Sequence, residues 1–206
     1  MAAIVHVVED DESVRAALIR LLQASGYEVH GYASAGDFLL KRHVESHGCL
    51  LLDMLMPGPS GLDLQASLKE QGIALPIIFM TGYPEVSSCV TAMRGGAIDY
   101  LPKPIEPEDL LAAVSSALTR DLEARERRQE LQRLHQSFSS LSPREMQVFS
   151  LIVEGKLNKQ IADSLSVAER TVKAWRASLM EKLEADSTVA LGRLAERLRS
   201  LEAARD

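Results

Sequence analysis

The sequence Cys49-Leu50-Leu51-Leu52-Asp53 decides the fold class of this chain. Four consecutive apolar residues are too few for a typical helix and are typical of a strand buried in a parallel sheet. The run ends on a carboxylate, and the segment Met56-Pro57-Gly58-Pro59-Ser60-Gly61 then forces a loop. Asp53 is therefore predicted at the carboxyl end of a strand, which is the edge where open α/β sheets bind their ligands.

Apolar strands and amphipathic helices alternate along residues 1–118. The predicted strands span 4–8, 27–32, 50–53, 76–81 and 98–101, and the predicted helices span 13–25, 35–43, 62–71, 86–94 and 107–118. Such alternation indicates parallel strands joined by crossover helices, with helices on both faces of one sheet. The front part of the chain is therefore predicted to be a five-stranded α/β domain.

Composition and charge limit the classes of function. Of the 206 residues, 46% are hydrophobic and 25% are charged, as in ordinary globular proteins. The sequence has no apolar run near the roughly 20 residues of a membrane span and no signal-peptide pattern. Its two cysteines favour neither a disulfide framework nor a zinc site, so a cytoplasmic location is expected. The net charge of −6 comes from an acidic front part, while the rear is locally basic, which predicts two domains with different partners.

Four polar features follow the ends of predicted strands. They are Glu9 and Asp10 after the first strand, Asp53 after the third, Thr81 after the fourth and Lys103 after the fifth. In a parallel sheet all these ends lie at one edge, so the side chains are expected to meet. Crowded carboxylates bind a divalent cation such as Mg²⁺, and a lysine with a threonine hydroxyl holds an anion such as a phosphoryl group. Together these residues describe an aspartyl-phosphate site.

The acid pair, the Asp-x-x-Met-Pro motif at Asp53, Thr81-Gly82 and Lys103-Pro104 resemble the receiver domain of two-component response regulators. The resemblance covers residues 1–120 and implies a flavodoxin-like, doubly wound fold. It further implies that Asp53 accepts a phosphoryl group from a sensor histidine kinase. Thr81 and Lys103 would contact the phosphoryl oxygens, and Tyr100 would reorient together with Thr81.

The same resemblance implies a Mg²⁺ site around the phosphoacceptor. Asp10 would bind the ion directly, Glu9 would act through water, and the backbone carbonyl of Leu55 would complete the ligand shell with Asp53. Glu9 departs from the family, which more often has Asp at this position, but an acid of greater reach keeps the role.

Each of these residues also has a simpler interpretation when taken singly. Acids after a strand are often helix caps, an isolated Asp53 is more often a turn residue than a nucleophile, and a single Lys103 is usually solvated. His6 lies inside an apolar strand and is expected to be a core histidine, and Tyr100 is open to a core role as well. The joint arrival of the polar residues at one sheet edge favours the functional interpretation.

Residues 119–137 contain neither Pro nor Gly and are rich in strong helix formers. They are predicted to be a helical linker that prolongs the fifth helix and serves as a solvated spacer. Four consecutive charged residues at 125–128 interrupt the apolar spacing, which disfavours a coiled coil. Residues 137–140 are predicted to be a hinge to the next domain.

Residues 138–206 are predicted to form a small all-α domain of four helices. Ser142-Pro143-Arg144-Glu145 is a capping box that starts the first helix. Short helices at 158–165 and 169–183 then flank a sharp turn, and the second has an apolar stripe with cations off the stripe. This arrangement is typical of a helix-turn-helix whose second helix enters the major groove of DNA.

The motifs Leu141-Ser142-Pro143-Arg144-Glu145, Asn158-Lys159-Gln160-Ile161-Ala162 and Thr171-Val172-Lys173 resemble the LuxR-type DNA-binding domain of FixJ-like regulators. By this likeness the last helix, predicted at 187–198, makes dimer contacts on DNA. Ala168 departs from the family, which usually has a Ser N-cap there. The predicted DNA contacts are Lys159, Arg170, Thr171, Lys173, Arg176 and Lys182.

These features predict a transcriptional response regulator in which phosphorylation of Asp53 promotes dimerisation and operator binding. The expected partners are a sensor histidine kinase, double-stranded DNA and a second copy of the chain, with RNA polymerase as a further candidate and no membrane. No enzyme is expected, although the receiver could catalyse its own phosphorylation and slow dephosphorylation. The predicted domains are a receiver at 1–118, a linker at 119–137 and a DNA-binding domain at 138–206.

Three alternatives stay open. The first is a phosphorylation-independent DNA-binding regulator with a dimerising receiver. The second is a phosphohydrolase with Asp53 as nucleophile, which is disfavoured because Leu55 stands where such enzymes need a general acid. The third is a helical protein-interaction module at 138–206, since scattered charges on helices are usually solvated.

Overall fold

The computed structural model describes residues 3–41 and 47–203. Within these residues the strands are β1 (Ile4–Val8), β2 (Glu28–Tyr32), β3 (Gly48–Asp53), β4 (Ile77–Thr81) and β5 (Asp99–Pro102). The helices are α1 (Glu12–Ala24), α2 (Ala35–Lys41), α3 (Gly61–Glu70), α4 (Val86–Arg94), α5 (Pro107–Ser139), α6 (Pro143–Val153), α7 (Asn158–Leu165), α8 (Glu169–Lys182) and α9 (Thr188–Ala203). The chain divides into two compact units, Met1–Ala124 and Arg125–Asp206. No helix in the described part is both long and apolar enough to cross a membrane.

The first unit is a parallel five-stranded sheet with the strand order β2-β1-β3-β4-β5. The register pairs Val8 with Leu52, Leu52 with Phe79, and Thr81 with Pro102. The carboxyl ends of β1, β3, β4 and β5 therefore lie side by side. This topology confirms the predicted doubly wound α/β fold.

The central strand β3 is buried along its whole length, and Leu50, Leu51 and Leu52 are each 0% exposed. Burying a leucine side chain contributes about 1.5–3 kcal/mol, so this strand anchors the unit. Its side chains alternate between two apolar clusters, because successive residues of a strand point to opposite faces. One cluster contains Phe38 of α2 with residues of α3 and α4, and the other contains Leu22 of α1 with residues of α5.

Predicted and observed elements of the first unit agree closely, and α4 has the predicted bounds. The predicted helix 35–43 is observed as α2 up to Lys41, and its last residues lie outside the described ones. The linker prolongs the fifth helix as predicted, because α5 is continuous to Ser139.

One expectation for the connector is wrong. The predicted hinge at 137–140 is helical up to Ser139, and Phe138 packs edge to face on Phe149 with ring centroids 5.0 Å apart. The predicted solvated spacer is largely exposed, but Asp121 within it is 4% exposed and accepts a hydrogen bond from the Gly48 backbone N at 3.0 Å. Asp121 therefore ties the start of this segment to the sheet of the first unit.

His6 is a core histidine, as predicted, with 2% of its surface exposed. Its Nδ1 atom lies 3.1 Å from the Tyr32 hydroxyl, and its ring packs edge to face on Phe38. Burial lowers the pKa of His6 to about 4, with smaller contributions from the nearby His30 and His47. The imidazole is therefore neutral at physiological pH.

The second unit is a helical bundle around one apolar cluster. Val148 and Ile152 of α6, Ile161 of α7, and Val172 and Leu179 of α8 are at most 2% exposed within it. Leu183 belongs to this cluster as well, and Trp175 packs against it. The apolar stripe that was predicted for the third helix is therefore the face that α8 buries.

A capping box starts α6, as predicted. The Ser142 hydroxyl accepts a hydrogen bond from the Glu145 backbone N at 3.3 Å, and the Ser142 N donates to Glu145 Oε2 at 2.7 Å. The same carboxylate also accepts hydrogen bonds from Ser178 Oγ at 2.6 Å and from Lys182 Nζ at 2.7 Å. Glu145 therefore joins the start of α6 to the last turns of α8.

Candidate functional site

Three carboxylates meet at the carboxyl edge of the sheet. Asp53 is the last residue of β3, and Glu9 and Asp10 directly follow β1. Each of the three offers a carboxylate oxygen within 4.8 Å of the others. Glu9 and Asp53 are 1% and 5% exposed, whereas Asp10 is exposed. The predicted acid cluster is thus present, with one member open to solvent.

Lys103, in the loop after β5, connects two of these acids. Its Nζ atom lies 2.7 Å from Glu9 Oε2 and 3.2 Å from Asp53 Oδ2. Its backbone N donates to the Thr81 carbonyl at 2.7 Å, which fixes the loop beside the end of β4. The amine therefore marks the position next to Asp53 where an anionic group would be held.

The site carries more negative charge than its single lysine neutralises. Burial raises the pKa of Glu9, the charge of Asp53 raises it further, and the hydrogen bond from Lys103 opposes both effects. Burial alone would lower the pKa of Lys103, but the hydrogen bonds and charges of Glu9 and Asp53 outweigh burial and raise it. Three carboxylates with hard oxygen donors fit a small divalent cation such as Mg²⁺.

Thr81 ends β4 at the same edge and is fully buried. Its hydroxyl donates to the Tyr83 carbonyl at 3.3 Å and accepts from the Tyr83 backbone N at 3.1 Å. Tyr100 of β5 is half-buried against the apolar cluster, and its hydroxyl has no hydrogen-bond partner within the described residues. Leu55 lies in the loop after β3 with 57% of its surface exposed. The roles predicted for these three residues stay predictions.

The loop that follows Asp53 folds back closely on the strand end. The Gly61 backbone N donates to the Met54 carbonyl at 3.1 Å. A Cβ atom at Gly61 would lie 2.4 Å from the Asp53 carbonyl oxygen, so only glycine fits there. The Gly58 to Gly61 segment, predicted simply as a loop, therefore also sets how closely α3 approaches Asp53.

Arg15 is a member of the site that the sequence analysis did not include. Its Nη1 atom donates to the Glu9 carbonyl at 2.7 Å and to the Asp10 carbonyl at 3.2 Å. The sequence signal for this contact was the position of Arg15 in the first turn of α1, just after the acid pair.

The second unit contains the predicted helix-turn-helix. Helices α7 and α8 are joined by a short turn in which Ser166 adopts the left-handed conformation, with φ of 53°. Ala168 is the N-cap of α8 and provides no side-chain hydrogen bond, as its identity predicts. Val172 and Leu179 are buried, so the other side of α8 is available to a partner.

The predicted DNA-contact residues differ in how firmly the domain holds them. Lys182 binds Glu145, and Arg176 donates to Asn158 Oδ1 at 3.1 Å and to the Thr188 hydroxyl. Lys173 forms an exposed pair with Glu169 at 3.3 Å. Within the part of the chain that the structure describes, Arg170 and Lys159 are exposed and have no side-chain partner, while Thr171 is half-buried. None of these six predicted DNA contacts is tested by the fold alone.

Models of known protein families match both units of the chain. A family model described as the response regulator receiver domain matches residues 5–115, and one described as bacterial regulatory proteins of the luxR family matches residues 139–195. The chain therefore belongs to the response regulators that carry a receiver domain and a LuxR-type DNA-binding domain. This confirms the family predicted from the sequence.

Individual relatives extend over almost the whole chain. Nodulation protein W of Bradyrhizobium diazoefficiens is 43% identical over 196 residues, which cover 95% of this chain and 86% of the relative. The transcriptional regulatory protein FixJ of Azorhizobium caulinodans is 39% identical over 191 residues, which cover 93% of this chain and 90% of the relative. Among solved structures, the response regulator StyR superposes with a TM-score of 0.91 at 44% identity, covering 96% of this chain and 100% of StyR.

The membership defines the general function. The protein is a transcription regulator of a two-component system and not a classical enzyme. Receiver domains bind Mg²⁺ through acidic residues, and a cluster of such residues, Glu9, Asp10 and Asp53, is present here. The receiver implies a histidine kinase as partner, and the LuxR-type domain implies DNA binding.

Proposed function

We propose that Asp53 is the phosphoacceptor of this regulator and that its phosphorylation promotes dimerisation and operator binding. The observation that carries the proposal is the contact of Lys103 Nζ with both Glu9 and Asp53 at the carboxyl edge of the sheet. A lysine amine in this position offsets the negative charge that a phosphoryl group brings beside Asp53.

The transfer step moves one phosphoryl group and leaves the kinase histidine intact. The phosphorus–nitrogen bond on the kinase breaks, a phosphorus–oxygen bond forms on an Asp53 carboxylate oxygen, and the released imidazole nitrogen keeps the electron pair and takes up a proton. Asp10 and Asp53 would bind Mg²⁺ directly, Glu9 would act through water, and the Leu55 carbonyl would complete the shell. The bound ion would neutralise charge as the acceptor and the phosphoryl group approach each other.

Thr81 and Tyr100 would respond to the phosphoryl group by moving, and their movement would change the surface of the receiver. The Thr81 hydroxyl would give up its hydrogen bonds to the Tyr83 backbone and bind a phosphoryl oxygen instead. This change of partner would pull the loop after β4 inward. Tyr100 would follow Thr81, since its hydroxyl is buried and leaves no hydrogen bond behind within the described residues. The same site would catalyse its own phosphorylation by small donors and slow dephosphorylation.

An apolar stripe on α4 supports dimerisation through this part of the receiver. Val86, Val90 and Met93 are 82%, 42% and 45% exposed and follow one face of the helix at a spacing of four and three residues. Exposed apolar side chains on one helix face, close in the chain to the loop after β4, fit an interface with a second receiver. Pairing two receivers would raise the effective concentration of the two DNA-binding domains at adjacent half-sites.

For DNA we propose that α8 enters the major groove. Arg170 and Lys173 of α8 would contact DNA bases or phosphates, with Thr171 beside them. Lys159 of α7 would contact the DNA backbone. The boundaries that we propose are a receiver at 1–118, a helical linker at 119–137 and a DNA-binding domain at 138–206. The matched family segments, 5–115 and 139–195, fall inside these limits.

The test is light scattering after size exclusion, with and without Mg²⁺ and beryllofluoride as phosphoryl mimic. Wild type is expected to dimerise only with both additives, and Asp53→Asn is expected to stay monomeric. Glu70→Gln, which removes an exposed acid at the end of α3, is the matched control and should behave as wild type. Dimerisation of Asp53→Asn with the mimic, or none in wild type, contradicts the proposal and favours a phosphorylation-independent regulator.

A further inference from the structure

The guanidinium of Arg15 holds the backbone of both acids that follow β1. One nitrogen, Nη1, donates to the carbonyl oxygens of Glu9 and Asp10 at 2.7 and 3.2 Å. We propose that Arg15 is a positioning residue for the Mg²⁺ site: it fixes these two peptide planes so that the side chains of Glu9 and Asp10 face Asp53. This proposal rests on the proposed function, because it assumes that the three acids bind the ion.

The aliphatic stem of Arg15 passes beside a glycine on the neighbouring strand. A Cβ atom at Gly31 of β2 would be in ordinary van der Waals contact with Arg15 Cδ and Cγ, at 3.5 and 3.6 Å, and would clash with Ile19 Cδ1 at 2.6 Å. The Arg15 stem therefore packs along β2 on its way to the acid segment.

The remaining hydrogen bonds of the acid segment complete the hold on its backbone. The Glu9 backbone N donates to the Tyr32 carbonyl at 3.1 Å, and the Asp11 carboxylate accepts from the backbone N atoms of Ser13 and Val14 at 2.8 and 3.0 Å. Asp11 is thus used as the N-cap of α1, and Arg15 is the group that fixes the carbonyls between the strand and this cap. Outer contacts of this kind set the orientation of metal ligands and tune affinity.

Charge and geometry make opposite predictions for the removal of Arg15. If the positive charge of Arg15 mainly repelled the incoming cation, neutral Arg15→Gln would bind Mg²⁺ more tightly. If Arg15 positions the acids, the same variant binds Mg²⁺ more weakly. Arg15→Lys keeps the charge but has a shorter side chain and a tetrahedral ammonium in place of the planar guanidinium, so positioning predicts that it does not restore full affinity.

The experiment is calorimetric titration of the full chain with MgCl₂. We expect roughly tenfold weaker binding for Arg15→Gln, a value between those of wild type and Arg15→Gln for Arg15→Lys, and wild-type binding for Arg20→Gln, an exposed arginine on the same helix. Arg15→Lys retains the charge and most of the aliphatic stem, so it keeps the test decisive if Arg15→Gln fails to fold.

A second readout separates positioning from loss of the reaction itself. Phosphorylation by acetyl phosphate, followed on gels that retard phosphoproteins, should need more Mg²⁺ in Arg15→Gln but approach the wild-type rate at saturating Mg²⁺. Equal or tighter Mg²⁺ binding by Arg15→Gln, or wild-type binding by Arg15→Lys, overturns the proposal. Absence of Mg²⁺ binding or phosphorylation in wild type would instead overturn the proposed function.

Discussion

Two buried glutamates, Glu9 in the first unit and Glu145 in the second, each accept a hydrogen bond from a lysine at 2.7 Å. Their pKa values nevertheless shift in opposite directions. The pKa of Glu145 is lowered to about 2 by Lys182, Ser178 and the Ser142 backbone N, whereas burial and the charge of Asp53 raise the pKa of Glu9. Burial is the largest influence on Glu9 and outweighs its lysine, whereas the hydrogen bonds from Lys182, Ser178 and the Ser142 backbone N outweigh burial at Glu145.

The difference separates a carboxylate that the fold fully satisfies from one that we propose to act at the Mg²⁺ site. Around Glu145 the domain supplies donors to both carboxylate oxygens, so the group is satisfied as an ion. Around Glu9 one lysine is shared with Asp53, and Asp10 adds a further charge. A cluster of that kind is stabilised by a bound cation, so we expect the first unit and not the second to respond to Mg²⁺.

The largest effect is expected when the lysine of each site is removed. Lys103→Met should lower the rate of phosphorylation of Asp53 by about 100-fold, because the amine that stabilises the incoming phosphoryl oxygens is lost. Lys182→Met should leave this rate unchanged and lower the thermal stability of the second unit. The rates are measured with acetyl phosphate and saturating Mg²⁺, and equal rates in the two variants would remove the distinction between the sites.

Mg²⁺ should stabilise the first unit and leave the second unchanged. At a concentration 100 times its dissociation constant, the ion is expected to add about 2.7 kcal/mol to the free energy of unfolding. Urea unfolding reports the two units separately, because the single tryptophan, Trp175, lies in the second. Circular dichroism should show the gain in the first unit and Trp175 fluorescence should show none, and a Mg²⁺-dependent shift in the Trp175 transition would contradict this expectation.

Arg170 and Lys182 both lie on α8 but differ in their side-chain contacts. Arg170→Ala is expected to weaken DNA binding about tenfold without changing stability, since Arg170 has no side-chain partner within the described residues. Lys182→Met is expected to do the reverse, because its amine already holds Glu145. Fluorescence anisotropy with an operator fragment measures the affinity, and Arg144→Ala, an exposed arginine on α6, controls for net charge.

The pH dependence of the second unit should show the lowered pKa of Glu145. A carboxyl with a pKa of 4.5 when unfolded and about 2 when folded contributes stability that is complete above pH 4.5. This contribution is lost as the pH falls from 4.5 towards 2, because the native state must then give up an ionised group. Trp175 fluorescence during urea unfolding should show a smaller loss over this interval in Glu145→Gln, while Glu181→Gln, an exposed acid on α8, should behave as wild type.

The smallest effect concerns the N-cap of α8. The second unit satisfies Glu145 fully but leaves the start of α8 without a side-chain acceptor at Ala168. Ala168→Ser should add about 1 kcal/mol to its free energy of unfolding. Ala177→Ser, in the exposed middle of the same helix, should give no gain, and a similar gain in both variants would show that capping is not the cause.

The sequence was sufficient for the sheet and for the residues at its edge. Chain direction alone brings Glu9, Asp53, Thr81 and Lys103 together, because parallel strands end on the same side. The bonds that distinguish the two glutamates could not be predicted. The contact of Lys182 with Glu145 joins residues 37 positions apart through the packing of α6 on α8, which no local pattern specifies.

Arg15 and Phe138 escaped prediction for the same reason. Arg15 contacts backbone carbonyls and a glycine on another strand. Contacts to backbone atoms do not depend on the side chains present there, so the sequence pattern does not predict them. Phe138 lies among serines that suggest a turn, yet its packing on Phe149 keeps α5 helical to Ser139. Tertiary contacts overrode the local propensity in this segment.

The complete burial of β3 has a consequence for how the regulator responds over time. Amide protons of a central strand with no exposed residue exchange with solvent only when the whole domain opens. Asp53 therefore ends the segment of the receiver that we expect to exchange most slowly. The exposed stretch from Gly82 to Val86 is expected to open locally and to exchange fast. Deuterium uptake after phosphorylation should therefore change in that exposed stretch and leave β3 protected.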